Sequence, residues 1–154
     1  MSLGNLANLA IVLGAFITLT SVIFALHEYL RNGTLRRADD FILLRRRLKE
    51  NETFRRICGL LDRDDPALAT EPFENKRDLV GLFEEVALIM NSGLMRKRVA
   101  HYMFGFYAIQ CYESTHFWAN MNLQSPYWSV FRDFAEKMLI EQRDFKYDAK
   151  EYRL

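Results

Sequence analysis

The chain has 154 residues, about the length of one ordinary domain, with 21 Lys and Arg against 20 Asp and Glu. A balance this even excludes a global field of the kind that gathers nucleic acid, and no DNA partner is expected. The two cysteines, Cys58 and Cys111, form no CxxC pair, which argues against a disulfide framework or structural zinc and for reduced thiols.

Leu6 to Leu26 carries no charged residue. At about 1.5 Å per residue, a helix of that length covers the ~30 Å hydrocarbon core of a bilayer. Residues 1–31 are therefore expected to form a transmembrane anchor. The preceding MSLGN has no Lys or Arg, unlike the basic leader of a secretory signal peptide, so cleavage is not expected. The following flank holds Arg31, Arg36, Arg37, Arg45, Arg46, Arg47 and Lys49. The positive-inside rule places that flank in the cytoplasm, giving a single-pass inner (plasma) membrane protein with its N-terminus outside. Ala7, Gly14, Thr18, Ser21 and Ala25 lie along one seam of the span, where small side chains allow a second helix to approach closely.

Residues 32–142 are expected to form a cytosolic helical domain. Asn32-Gly33-Thr34 predicts a break below the membrane, with Thr34 as N-cap of an amphipathic helix through Leu35, Ala38, Phe41, Ile42 and Leu48. Asn51 caps the next helix, with Phe54, Ile57, Cys58, Leu60 and Leu61 on its apolar face. Asp62 to Asn75, holding two prolines, is expected to be the longest loop. Asn75 then caps a helix through Leu79, Leu82, Phe83, Val86, Ala87, Ile89 and Met90, and Asn91-Ser92-Gly93 stops it with Gly93 left-handed.

MRKRVAHYMFGFYAIQCYESTHFWANM is apolar nearly all round and predicts the central helix of a small bundle, where its tyrosines pack in the core. Ser125-Pro126 opens a final helix with Trp128, Phe131, Phe134, Ala135, Met138 and Leu139 inward. The charged tail, residues 143–154, is too polar to bury. The fold class is all-α: one transmembrane helix followed by a compact bundle of about five helices.

Candidate chemistry is sparse. Cys111 and His116 lie about 140° apart on a helix and share no face. Glu113 and His116 can meet at i and i+3, but no spacing supplies further metal ligands. P-loop, GxGxxG, HExxH and GxSxG patterns are absent from the sequence. No catalytic residue, metal or cofactor is implied. The stronger signal is basic clusters, Arg36-Arg37, Arg45-Arg46-Arg47, Arg55-Arg56 and Arg96-Lys97-Arg98. They are expected to be solvated faces and positive-inside determinants, some of which attract anionic lipid at about 1 kcal/mol per charge near the surface. Alternatively they hold an anionic nucleotide, the Arg96-Lys97-Arg98 run being suited to phosphate where a helix starts.

Arg37 to Leu44 leading into FRRICGLL (Phe54 to Leu61), an acidic-proline loop and LFEEVALIMNSGL (Leu82 to Leu94) resemble bacterial single-pass membrane proteins with a small cytosolic helical domain of unknown function. The layout is also similar to membrane-tethered antiviral effectors, in which a cytosolic domain senses a nucleotide second messenger. The expected function is non-enzymatic, through a protein partner in a membrane complex or a second copy of the chain. The alternative is a ligand-gated membrane effector that binds an anionic nucleotide. A hydrolase using His116 or His101 comes third.

Overall fold

The computed structural model describes the backbone of residues 3–145 and of Asp148, with side chains from 14–28 and from 41–145 and 148. Every regular element among them is helical. The chain divides into two units, Met1–Asp39 and Asp40–Leu154.

Helix α1 runs from Leu3 to Glu50 without interruption. The expected break at Asn32-Gly33-Thr34 does not occur. These residues cost about 2 kcal/mol of helix propensity together, which long helical flanks on both sides absorb, so no new helix starts at Thr34. Within the first unit the described side chains are exposed on every face of α1, including Phe16 (65%) and Phe24 (80%). The side chains of 29–40, among them Leu35 and Ala38, lie outside the described residues.

The second unit is a helical bundle. The end of α1 enters its core through Phe41 and Leu48, whereas Ile42, expected on the same face, is exposed. Asn51 caps α2 (Glu52–Leu61), its side chain accepting from the Phe54 N–H at 3.1 Å. The segment expected as a plain loop contains a 3₁₀ turn, Pro66–Thr70, with Asp65 accepting from the Ala67 N–H and Leu68 fully buried.

Helix α3 spans Phe73–Asn91 and begins directly after Pro72, ahead of the expected cap Asn75. Asn75 instead donates to the Glu71 carboxylate at 2.8 Å. The Arg56 guanidinium donates to both oxygens of Glu71, whose side chain is only 4% exposed. That bidentate pair, Asn75 and the nearby charge of Lys76 hold the Glu71 carboxyl below its usual range, against the opposing effect of burial.

The stop at the end of α3 forms as expected. Gly93 has φ +73°, its N–H donates to Met90, and the Leu94 N–H reaches Ile89 at 3.2 Å. These two bonds satisfy carbonyls that a helix end leaves free.

The apolar stretch after Gly93 is helical from Lys97 to Glu113 without a break, and stops short of the expected end near Met121. It divides into α4 (Lys97–Ala100), a π-helical segment (His101–Gly105) and α5 (Phe106–Glu113), ending before Ser114. Ser114 terminates it by capping the turn at 115–117. Its hydroxyl accepts from the Phe117 N–H at 2.9 Å and donates to the Asp64 carboxylate, which also takes the Thr115 and His116 N–H groups at 3.4 Å. The hydroxyl bond, above all, holds the Asp64 carboxyl below its usual range.

Ser125 caps a short 3₁₀ turn, Pro126–Trp128, which feeds α6 (Ser129–Arg143). Helices α3 and α5 both pack on α6. Between them lies an aromatic cluster in which Phe131 stands 6.0 Å from Phe83 and 5.8 Å from Trp118, itself 5.8 Å from Trp128.

Gly105 marks the tight point of the π segment. A Cβ there would sit 2.7 Å from Cδ2 of His101, whereas a Cβ at Gly81 in α3 would meet nothing within 4 Å. Gly105→Ala is therefore expected to lower unfolding free energy by about 1–3 kcal/mol. Gly81→Ala should raise it by about 0.4–1 kcal/mol by restricting the unfolded chain. Urea titration of both variants checks the opposite signs.

Candidate functional site

The basic clusters expected from sequence have separate fates. Arg36 and Arg37 have side chains outside the described residues. Arg46 pairs with Glu50 at 3.6 Å, and Arg47 with Glu85 at 2.9 Å. Lys97 and Arg98 converge on the buried Glu141 at 3.2 and 3.0 Å, while Arg96 precedes α4 at an exposed position. A phosphate at this run would have to compete with a carboxylate already seated there.

Arg45 stands apart. Its guanidinium lies over the Tyr102 ring, 5.4 Å from the centroid. Both residues line a groove of about 460 Å³, within the range of small-molecule sites. One wall comes from the end of α1 with Arg45, Leu48 and Lys49, and a second from α2 with Arg55, Cys58 and Gly59. Tyr102, Met103 and Phe104 of the π segment, with Phe106 and Tyr107 of α5, close the third side, and Asp62 completes the lining. A π segment holds an extra residue per turn, and such insertions recur at functional sites.

The groove carries three cationic side chains, Arg45, Lys49 and Arg55, against one carboxylate, Asp62. Tyr102 is 62% exposed and Phe106 54%, so these two rings are not the core packing that the sequence predicts. Burial, reinforced by Asp62, pushes the Cys58 thiol up to about 12, so it faces the groove as an un-ionised thiol and a poor nucleophile. Burial and Asp62 likewise push the Tyr107 hydroxyl up. The geometry suits retention of an anion with a flat apolar part.

Of the expected basic runs, the groove takes one residue from each of two, Arg45 and Arg55. Their meeting with Lys49 and Tyr102 has no signature in the sequence, because it depends on the turn after α1 and on the π segment, neither of which has a spacing signal.

Other candidates resolve into structural roles. Ser114, Asp64 and His116 come together, but the serine hydroxyl is committed to Asp64 and the histidine contributes its backbone N–H. Since α5 ends at Glu113, the helical spacing expected to join Glu113 and His116 is not formed. His101 Nδ1 is buried with no hydrogen-bond partner among the described residues, and burial lowers the pKa of this ring. Cys111 is buried and its thiol is pushed well up by burial; both cysteines are free.

In the first unit Ala7 lies outside the described side chains, while Gly14, Thr18, Ser21 and Ala25 are exposed. At about 100° per residue these four fall within about 60° of one another, with the bulky apolar side chains covering the remaining arc. The Thr18 and Ser21 hydroxyls donate at 2.8 Å to the Gly14 and Ile17 carbonyls, which satisfies both groups within the helix. Among the described residues no helix is long and apolar enough to cross a membrane. The uncharged run continues back from Gly14 to Leu6, through side chains outside the described set.

No protein-family model, curated protein or solved structure matches this chain.

Proposed function

We propose that the chain is a membrane-anchored helical module that acts by binding rather than by catalysis. Leu6 to Leu26 forms the single span, the N-terminus faces outward, and the helical unit works at the cytoplasmic face of the inner membrane. The observation that carries this reading is the described part of the run. Phe16, Ile17, Leu19, Val22, Ile23, Phe24 and Leu26 are all exposed, and so many bare apolar side chains on one helix suit lipid rather than water. The charge asymmetry beyond Leu26 supports the orientation.

The bulky arc faces lipid, and the seam of Ala7, Gly14, Thr18, Ser21 and Ala25 meets a partner helix, from a membrane complex or a second copy. Gly14→Leu is expected to weaken association by about 1–2 kcal/mol, roughly a tenfold loss, since close backbone approach is what small residues permit. Ile17→Leu on the bulky arc should leave it unchanged. A two-hybrid assay of helix association in membranes separates them, and equal behaviour of the two variants would remove the seam from the account.

A second reading, in which the helical unit gates the anchor on binding an anion, is favoured by the groove with its excess of cationic side chains. The lipid attraction of Arg36 and Arg37 fits either reading.

A further inference from the structure

The geometry points to a nucleoside monophosphate as the ligand of the groove between α1, α2 and the π segment. This rests on the reading in which an anion gates the anchor, and names its ligand class. Size comes first: about 460 Å³ accommodates a small organic ligand and is too little for a duplex or a folded partner.

Charge comes second. Arg45, Lys49 and Arg55 outnumber Asp62, and Lys49 and Arg55 are exposed, so a phosphate entering from solvent finds cations at the mouth. An arginine fork matches phosphate oxygens in two parallel hydrogen bonds, and lysine adds a point charge.

Aromatic surface separates a nucleotide from a bare anion. Inorganic phosphate needs no apolar surface, yet Tyr102 and Phe106 present exposed rings beside these cations. Stacking of a base on an aromatic ring stabilises by about 1–3 kcal/mol. The Arg45 guanidinium lies over the Tyr102 ring, which puts a cation beside an aromatic face. Tyr102 belongs to the π segment, in which His101 lies close over Gly105. A membrane glycerophosphate shares the phosphate chemistry and lacks the ring.

Isothermal titration of the full chain in detergent micelles tests this with three probes: AMP, inorganic pyrophosphate and glycerol 3-phosphate. AMP is expected to bind saturably and more tightly than glycerol 3-phosphate by about tenfold or more, the worth of one stacked ring. Lys49→Gln with Arg55→Gln should weaken both AMP and pyrophosphate at least about tenfold. Tyr102→Ala should weaken AMP alone. All of these side chains are exposed, so the variants fold, and unchanged far-UV circular dichroism checks it. Pyrophosphate binding with AMP no tighter than glycerol 3-phosphate, or AMP affinity untouched by Tyr102→Ala, overturns the nucleotide and spares anion binding. No saturable binding of any probe overturns both.

Discussion

Phe131→Ala is expected to lower the unfolding free energy by about 3–5 kcal/mol, a large fraction of what a domain of this size commands. Phe131 is fully buried and its ring contacts those of Phe83, Trp118 and Tyr112, so truncation leaves a void bounded by α3, α5 and α6. Rigid rings cannot collapse into that void, which puts the cost near the upper part of the range. Leu88→Ala, on the exposed side of α3, should change stability by no more than about 0.5 kcal/mol. Trp118 and Trp128 sit in the same cluster, so tryptophan fluorescence in a urea titration reports the loss directly. A Phe131→Ala midpoint equal to that of Leu88→Ala would mean that the cluster is not the centre of the bundle.

The parts of the fold that are legible in the sequence are those decided within a few residues. Asn51 as N-cap, Gly93 as left-handed stop and Ser125-Pro126 as an opening depend only on local backbone geometry, and all three form. The inward faces of α3 and α6 follow from apolar periodicity: Leu79, Phe83, Val86, Phe131, Phe134 and Met138 are all buried.

The illegible parts depend on contacts across the fold or on long flanks. The break expected at Asn32-Gly33-Thr34 rests on propensities that long flanking helices outweigh. The π segment, within which His101 lies close over Gly105, has no periodicity signal. Lys76 is another such case: its position falls on the inward face of α3, one turn ahead of Leu79 and Val80, but nothing in the residue type says that a lysine is covered there, and it is 2% exposed with its ammonium 5.6 Å from the Phe117 ring. Burial lowers its pKa while the Glu71 charge opposes that, and both partners, Glu71 and the Phe117 ring placed after the Ser114 turn, come from other parts of the chain.

The candidate site is legible in its charge and not in its location. Basic runs are visible in the sequence, but Lys97 and Arg98 are drawn to Glu141, a residue far along the chain, whereas Arg45 is drawn to Tyr102. Long-range pairing of this kind decides which of several similar runs stays open to a ligand.

Anchoring by Leu6 to Leu26 is the central claim, and its disruption has the other large expected effect. An arginine near the middle of a span costs about 2.5–3.5 kcal/mol, so Ile17→Arg should cost about that much and Val22→Arg, nearer the cytoplasmic end, should add a smaller amount, together enough to move much of the protein out of the bilayer. Ile17 and Val22 are exposed, so nothing in the helical unit relies on them. The most direct measurement pairs reporters at the two ends, one fused before Met1 and one after Leu154, each active on only one side of the inner membrane. The account predicts a membrane-bound protein that resists alkaline carbonate, with the Met1 fusion active outside and the Leu154 fusion active in the cytoplasm. A wild-type protein released by carbonate, or both fusions active on the same side, would contradict it.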